Sequence, residues 1–193
     1  MEQIIQQVIT VIKQIMMSNG LVVAIMIGLL LIISESIIPI LPLALFIAIN
    51  NLILGKITGF IVSYLGTVIG CILSFYLFRF LLSNYIQKKN LPRIHKFVDF
   101  ISSVKLGTLT VIMAIPFTPA FSINIGAGLS KIPFKKFLIS ILISKVFIVY
   151  FWGYVGTTLV ESLTDISALI KIFIMLVFSY AISVFINKKF NLD

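Results

Sequence analysis

The chain has 193 residues, of which 60% are hydrophobic and 11% are charged, and its formal net charge is +9. A soluble domain carries roughly 25% charged residues, so this composition indicates a helical membrane protein. Loop orientation and anionic lipid explain the positive charge without nucleic acid, because no basic-aromatic nucleic-acid motif is present. The chain has one cysteine, Cys71, and one histidine, His95. These exclude an intramolecular disulfide, a thiolate metal cluster and a nucleophile–histidine–acid set, so we predict no enzyme, cofactor or metal site.

The N-terminal stretch, residues 1–18, has the pattern of an amphipathic helix. Isoleucine, valine and methionine fall on one helical face, and glutamine falls on the other. Such a helix typically lies in the membrane interface. The alternative is a solvent-exposed N-terminal extension of the first membrane span, and the sequence leaves both open. The stretch lacks the basic start of a cleavable signal peptide.

Four apolar segments predict membrane spans, each of which needs about 20 residues. They are Leu21–Ile33, which is short, then Ile57–Leu82, Phe134–Gly156 and Ile166–Ile186. The second span carries small residues at three- and four-residue spacing, which predicts close packing against another helix. These small residues are Gly59, Ser63, Gly66, Thr67, Gly70 and Ser74.

Two further apolar stretches, Glu35–Asn51 and Ala114–Gly128, are interrupted and cannot be ordinary spans. Proline removes a backbone donor, so the freed polar groups at membrane depth must find partners inside the protein or in a watery cavity. We therefore predict that each stretch forms a re-entrant helical hairpin. The first one turns back near Asn50–Asn51, and Gly55–Lys56 marks its return to the membrane surface. The interrupting residues are Pro39, Pro42, Pro116, Pro119, Asn124, Gly126 and Gly128.

Basic residues predict the orientation. The loop 83–105 and the tail 188–193 are rich in lysine or arginine and are therefore assigned to the cytoplasm. The first span then runs outward and the second inward. The first hairpin opens outward and the second opens inward, which predicts inverted repeats at about residues 20–82 and 106–187.

The predicted fold is an all-α polytopic membrane protein with about four transmembrane helices and two re-entrant hairpins arranged as inverted repeats. Residues 20–187 form a single membrane domain, and both termini are cytoplasmic.

Charges at membrane depth are costly and indicate function. Lys145 lies ten residues beyond Lys135, about 15 Å along a helix, near the midplane. It is either functional or the structural partner of a buried carboxylate. Glu35 pairs with Lys145 or Arg79, takes up a proton, or caps the helix that follows. Arg79 suits a phosphate as a bidentate donor, or its side chain snorkels at the end of its span.

Several of these residues resemble a family pattern over about residues 30–158. They are Glu35 with Pro39-x-x-Pro42, Gly66-x3-Gly70 leading to Arg79, Pro116-x-x-Pro119, Asn124-x-x-Ala127-Gly128, then Phe137, Lys145 and the Gly153/Gly156 pair. This pattern resembles the DedA superfamily, also called the VTT-domain or SNARE-associated Golgi protein family. The resemblance implies a lipid transporter. Eukaryotic members are associated with phospholipid scrambling, and bacterial members with the return of undecaprenyl phosphate and dependence on the proton gradient.

The chain departs from the family near the second Pro-x-x-Pro. The family often carries an arginine a few residues before it, where this chain has Met113 and Ala114. DedA proper also tends to carry an arginine inside the motif, where this chain has Thr118-Pro119. Either Lys105 or Lys145 supplies the missing charge, or the substrate is less anionic.

The resulting hypothesis is a lipid translocase, a scramblase or flippase, in a bacterial plasma membrane. Its substrate would be an anionic phospholipid or undecaprenyl phosphate, bound near Glu35, Arg79, Asn124 and Lys145. Protons are a candidate coupling ion, and a homo-oligomer is left open. The alternatives are a proton- or ion-coupled carrier for a small solute, and a membrane scaffold without transport activity.

Overall fold

The computed structural model describes residues 10–11, 14–15, 20–38, 43–82, 92–116, 118, 120–161, 174 and 177. Regular structure in these ranges is helical. Most of the N-terminal amphipathic stretch, most of the predicted last span and the predicted tail lie outside the described residues. So do the loop 83–91 and the prolines Pro39, Pro42 and Pro119.

Seven α-helices are defined within the described ranges. They are α1 (Gly20–Ile37), α2 (Leu43–Leu54), α3 (Lys56–Leu77), α4 (Pro92–Ser103), α5 (Leu106–Ala114), α6 (Ala120–Leu129) and α7 (Phe134–Glu161). A π-helical turn, Phe78–Leu82, continues α3 without a break.

Three of the predicted spans are confirmed as helices that are long and apolar enough to cross a membrane: Gly20–Ile37, Lys56–Leu81 and Phe134–Gly156. On α3, exposed apolar side chains recur every four residues and form a stripe opposite the small residues. This stripe contains Ile57, Ile61, Leu65, Ile69 and Leu73. A helix with such an exposed face suits contact with lipid.

The small-residue stripe of α3 packs against α1. A Cβ on Gly66 would lie 2.9 Å from Ile32, and a Cβ on Gly70 would meet Ser36. Ser74 donates a hydrogen bond to the carbonyl of Ser36 at 2.7 Å. These contacts advance along both helices in the same direction, so α1 and α3 are parallel. The prediction that the first two spans run in opposite directions is therefore wrong. The small residues of α3 contact successive turns of α1 in the same order, which requires parallel helices.

The corner between α2 and α3 lies at Gly55 and not at Asn50–Asn51, so the predicted turning point is also wrong. The helix α2 continues through both asparagines to Leu54. Gly55 has φ +82°, a left-handed conformation that glycine adopts without steric cost. The Asn50 amide donates to the Ser63 hydroxyl at 3.0 Å, so this side chain joins two helices and does not end one.

In the second half, α4 and α5 meet at a sharp corner, with Ile94–Ser103 and Leu106–Ala114 inclined at 119°. The Lys136 ammonium donates to the Val104 carbonyl in this corner. Thr110 on α5 lies beside Ser140 on α7, with their hydroxyl oxygens 3.3 Å apart. The start of α5 is thus next to the start of α7, and these two helices also run in parallel.

The two long helices, α3 and α7, are antiparallel. Phe75, near the end of α3, stacks on Phe137 near the start of α7 at 4.6 Å between ring centroids. Further along, the Tyr64 hydroxyl donates to the Leu142 carbonyl at 2.9 Å. The end of α3 and the start of α7 therefore lie at one end of the bundle.

We call this end the basic end, because exposed lysines surround it: Lys105, Lys131 and Lys135. We call the opposite end, where α1 and α3 begin, the Gly55 end.

Candidate functional site

Lys145 is a buried charge in the middle of α7. Its side chain is 3% exposed, and it follows Phe134 by 11 residues, or about 16 Å of helix. Ser144 beside it is fully buried and donates to the carbonyl of Ile141. An ammonium in such surroundings needs an opposite charge or a polar ligand.

Glu35 supplies an opposite charge from the other half of the chain. Its carboxylate is partly buried and is attracted electrostatically by Lys145. Because Glu35 lies on α1 and Lys145 on α7, the attraction joins the two halves at membrane depth. The structure thus brings together two of the predicted site residues.

The alternative role of Glu35 as an N-terminal helix cap is wrong. Residues 34–36 lie inside the last turn of α1, and the next described helix is α2, Leu43–Leu54. The Ser34 hydroxyl donates back to the Leu31 carbonyl at 2.8 Å. Because α1 continues to Ile37, the backbone at Glu35 is already helical and cannot take the extended conformation of a cap.

Asn124 is buried on α6 at 1% exposure. Its amide nitrogen donates to the Cys71 sulfur at 3.4 Å, while its Oδ1 has no hydrogen-bond partner among the described residues. Asn50 on α2 has the same condition, since its amide nitrogen bonds Ser63 and its Oδ1 has no described partner. Each interrupted stretch therefore carries, on its second helix, a buried amide with an unused acceptor, and Asn51 beside Asn50 provides a further unused acceptor.

Arg79 lies away from Lys145 and holds the end of α6. Its Nη2 donates to the carbonyls of Ser130 at 2.8 Å, Ile132 at 2.9 Å and Ala127 at 3.3 Å, and its Nε donates to Gly128 at 3.3 Å. The guanidinium also lies 4.2 Å from the centroid of the Phe75 ring. The last carbonyls of a helix have no partner within it, so Arg79 acts as a C-terminal cap for α6.

The structure gives Gly126 and Gly128 a different role from the predicted one. Both lie inside α6, which continues to Leu129, so neither interrupts it. A Cβ on Gly126 would lie 2.7 Å from the Phe97 ring, and a Cβ on Gly128 would lie 2.7 Å from the Phe75 carbonyl oxygen. The two glycines let α6 approach α4 and the end of α3 closely.

The break between α5 and α6 lies where the prolines predict it. Pro116 follows the end of α5, and the Thr118 amide donates to the Ile115 carbonyl at 3.1 Å. Pro119 lies outside the described residues, as do Pro39 and Pro42 in the corresponding connection between α1 and α2. The Gly153/Gly156 pair faces α2, where a Cβ on Gly156 would lie 3.0 Å from Ala48.

The capping role of Arg79 was not predicted from the sequence, although a signal for it exists. The helix α6 ends at Leu129-Ser130 without a glycine after its last turn, so the usual backbone termination is missing. A helix end of this kind needs a donor from elsewhere. Lys136 has a similar role, because it bonds the Val104 carbonyl at the corner of α4 and α5.

Comparison with known proteins identifies a family and two related sequences. The VTT domain matches residues 15–158. The uncharacterized membrane protein YhjE of Bacillus subtilis (strain 168) is 29% identical over 162 residues, which cover 80% of this chain and 76% of that protein. The uncharacterized protein YqeD of the same organism is 27% identical over 125 residues, covering 64% of this chain and 60% of that protein. No solved structure matches significantly.

The VTT match includes both interrupted stretches, the Arg79 cap and the buried Lys145. It extends over most of the chain, and the aligned part of the first relative does the same. The chain therefore belongs to the VTT-domain family, the DedA superfamily of membrane proteins.

Proposed function

We propose that this protein moves a phosphate-bearing lipid between the leaflets of a bacterial plasma membrane. The observation that carries the proposal is the buried Lys145 side chain, which interacts electrostatically with Glu35 from the other half of the chain. A cation at this depth is expensive unless it serves a substrate or a coupling ion. A lipid phosphate is an anion that must pass this depth to change leaflets.

The proposed path lies between two re-entrant hairpins. In this proposal α1 and α2 form the first hairpin, which opens at the Gly55 end, and α5 and α6 form the second, which opens at the basic end. The antiparallel long helices α3 and α7 support this assignment, because each hairpin then belongs to one of two inverted repeats. The basic end would face the cytoplasm.

Within this path, the head group would replace Glu35 as the partner of Lys145 while its acyl chains stay in the bilayer. The unused oxygens of Asn50 and Asn124 could accept hydrogen bonds from hydroxyl or ammonium groups of the lipid. Arg79 would keep the end of α6 in place and would not touch the phosphate. Lys145 thus takes the role that the resemblance assigns to the arginine missing before Pro116.

The test is leaflet exchange of a fluorescent phospholipid and of a labelled polyprenyl phosphate in liposomes containing the purified protein. Lys145→Met should slow exchange by at least about tenfold, the effect of losing one charge-assisted contact at a transition state. Lys131→Gln, which removes an exposed lysine at the basic end, should leave exchange unchanged. Wild-type protein that moves neither lipid, with or without a proton gradient, would contradict the proposal.

A proton-coupled carrier for a small solute is the second candidate, and the attraction between Glu35 and Lys145 favours it. A carboxylate next to a buried ammonium can exchange a proton as the pair separates. Under this candidate, solute uptake into liposomes would depend on a pH gradient and would be lost in Glu35→Gln. Lipid exchange would then be absent in the wild-type protein.

A further inference from the structure

A groove of about 250 Å³ opens at the Gly55 end, between the start of α3 and the second half of α7. Its lining includes a cation, Lys56, an amide, Asn51, and a tyrosine, Tyr150, against an apolar wall formed by Phe60 and Val149. None of these five residues belongs to the site around Lys145 described above.

The polar groups of the groove are suited to an anion. The Lys56 side chain is exposed and provides the positive charge. Gly55 gives α3 no side-chain cap, so the amides of its first turn add positive potential beside Lys56. The Tyr150 hydroxyl, on a side chain that is 68% exposed, can donate as well.

Two glycines hold the Asn51 amide in place at this groove. A Cβ on Gly59 would lie 2.6 Å from Asn51 Oδ1, and a Cβ on Gly153 would lie 3.1 Å from Asn51 Nδ2. The Oδ1 atom has no hydrogen-bond partner among the described residues. The amide is therefore packed between α3 and α7, with its oxygen next to Gly59 and its nitrogen next to Gly153, which lines the groove.

The position of the groove points to a lipid and not to a free anion. Ile57, next to Lys56, is 79% exposed, and on α7 Phe147, near Tyr150, is 60% exposed. Such apolar surface beside a cation suits acyl chains beside a phosphate. Val149 is one helical turn from Lys145 on the same face of α7, about 6 Å along the axis, so the wall of the groove lies close to the buried ammonium.

We propose that this groove binds the phosphate of a lipid head group at the Gly55 end, one step before it reaches Lys145. The Lys56 ammonium, the Asn51 amide and the Tyr150 hydroxyl donate to the phosphate oxygens. The glycerol and the first methylenes lie against Phe60 and Ile57. This inference rests on the proposed lipid transport and names the residues that load the lipid.

Trp152 gives a direct readout of binding, because it is the single tryptophan of the chain and is adjacent to Gly153. Purified full-length protein in an uncharged detergent is titrated with brominated phosphatidylglycerol, which quenches tryptophan fluorescence. Brominated diacylglycerol, which lacks the phosphate, is the matched lipid. Lys56→Gln is compared with Lys131→Gln, which removes an exposed lysine at the opposite end.

Lys56→Gln should weaken quenching by phosphatidylglycerol about tenfold in apparent Kd, since one charge-assisted contact is lost. Lys131→Gln should leave it unchanged, and diacylglycerol should bind more weakly and be insensitive to Lys56→Gln. Equal binding of both lipids, or no effect of Lys56→Gln, would overturn the inference. Full competition by millimolar inorganic phosphate would also overturn it, because the site would then serve a free anion.

Leaflet exchange, measured separately, distinguishes this inference from the proposed function. If phosphatidylglycerol binds through Lys56 but the wild-type protein moves no lipid, the groove is a lipid site and the transport proposal fails. If the wild-type protein moves lipid and Lys56→Gln changes neither binding nor exchange, transport is retained and the groove is not the loading site.

Discussion

Arg79 and Lys145 are both cations among apolar side chains, and their contacts give them different roles. The Arg79 guanidinium donates to four carbonyls around the end of α6. Among the described residues Lys145 makes no such set of contacts, and its partner is the charge of Glu35, with which it interacts electrostatically. Arg79 uses its hydrogen-bond donors on backbone carbonyls and so stabilises the fold. Lys145 has, within the described part of the chain, only the attraction of Glu35 and can exchange this partner for a substrate.

Arg79→Met should destabilise the protein by about 2–3 kcal/mol, because hydrogen bonds to a charged group each contribute about 1.5–3 kcal/mol and partial exposure reduces their sum. Arg79→Lys should lose part of this, since one ammonium cannot reach all four carbonyls. Unfolding by detergent titration, followed by circular dichroism, measures both variants. Unchanged stability with lost lipid exchange would instead make Arg79 a phosphate ligand.

Glu35 and Lys145 should be energetically coupled. We expect the double variant Glu35→Gln, Lys145→Met to be more stable than the sum of the single effects predicts, by about 1–2 kcal/mol, because each single change leaves one charge at depth without its partner. The same unfolding assay measures the cycle. Glu35→Gln combined with Lys131→Gln should be additive, and additivity in the first pair would show that the two charges do not interact.

At the scale of single residues, the sequence identifies which charges matter and limits Glu35 to two candidate partners, Lys145 and Arg79, but it does not identify the partners of Arg79. Glu35, Arg79 and Lys145 are recognisable because each interrupts an apolar run. The carbonyls that Arg79 binds lie about 50 positions further along the chain, and only the folded position of α6 brings them there. The residues near Arg79 in the sequence do not indicate which distant carbonyls it will contact.

At the scale of helices, the packing of α1 on α3 depends on the absence of side chains. Gly66 and Gly70 allow Ile32 and Ser36 to approach the α3 backbone. Van der Waals contact of this kind is the main attraction between helices in a lipid environment, where no hydrophobic effect drives them together. The stripe predicted from spacing is thus a real interface, and the structure identifies its partner.

Gly66→Ala should destabilise the protein by about 1–2 kcal/mol. A Cβ there would lie 2.9 Å from Ile32, and such overpacking costs about 1–3 kcal/mol, more than the gain of about 1 kcal/mol in helix propensity. Gly107→Ala is the control, because no atom lies within 4 Å of its Cβ position. It should be neutral or slightly stabilising, and equal effects in the two variants would contradict the close packing.

Glycines also mark the limit of prediction at this scale. Gly55, Gly126 and Gly128 all interrupt apolar sequence, and the sequence does not distinguish them. Gly55 ends a helix through a positive φ, while Gly126 and Gly128 remain helical and admit neighbours. The difference depends on what packs against each glycine, which is a tertiary property.

At the scale of the whole molecule, the parallel arrangement of α1 and α3 places the starts of both helices at the Gly55 end. Hydropathy identifies the spans because their length and composition are local properties. Hydropathy does not give the direction of α1. Residues 20–38 contain no lysine or arginine that would orient the helix. The register of the glycine stripe, a contact between helices, supplies that direction.

Cysteine labelling tests this arrangement. In a Cys71→Ser background, cysteines at Leu21 and Lys56 should react with a membrane-impermeant maleimide from the same side of sealed vesicles. Cysteines at Lys105 and Lys131 should react from the opposite side. All four positions are exposed, so access depends on sidedness. A cysteine at Leu21 that reacts from the same side as one at Lys131 would contradict the parallel arrangement.

Two contacts between a cation and a backbone carbonyl in the second half have a mechanical consequence. Arg79 ties the end of α6 to the end of α3, and Lys136 ties the corner before α5 to the start of α7. The segment from Val104 to Ser130 is thereby attached to α7 at its first residue and to the end of α3 at its last residue. If α3 slides along α7, the distance between the two attachment points changes. The backbone at Pro116, where the helix α5 has ended, would absorb that change.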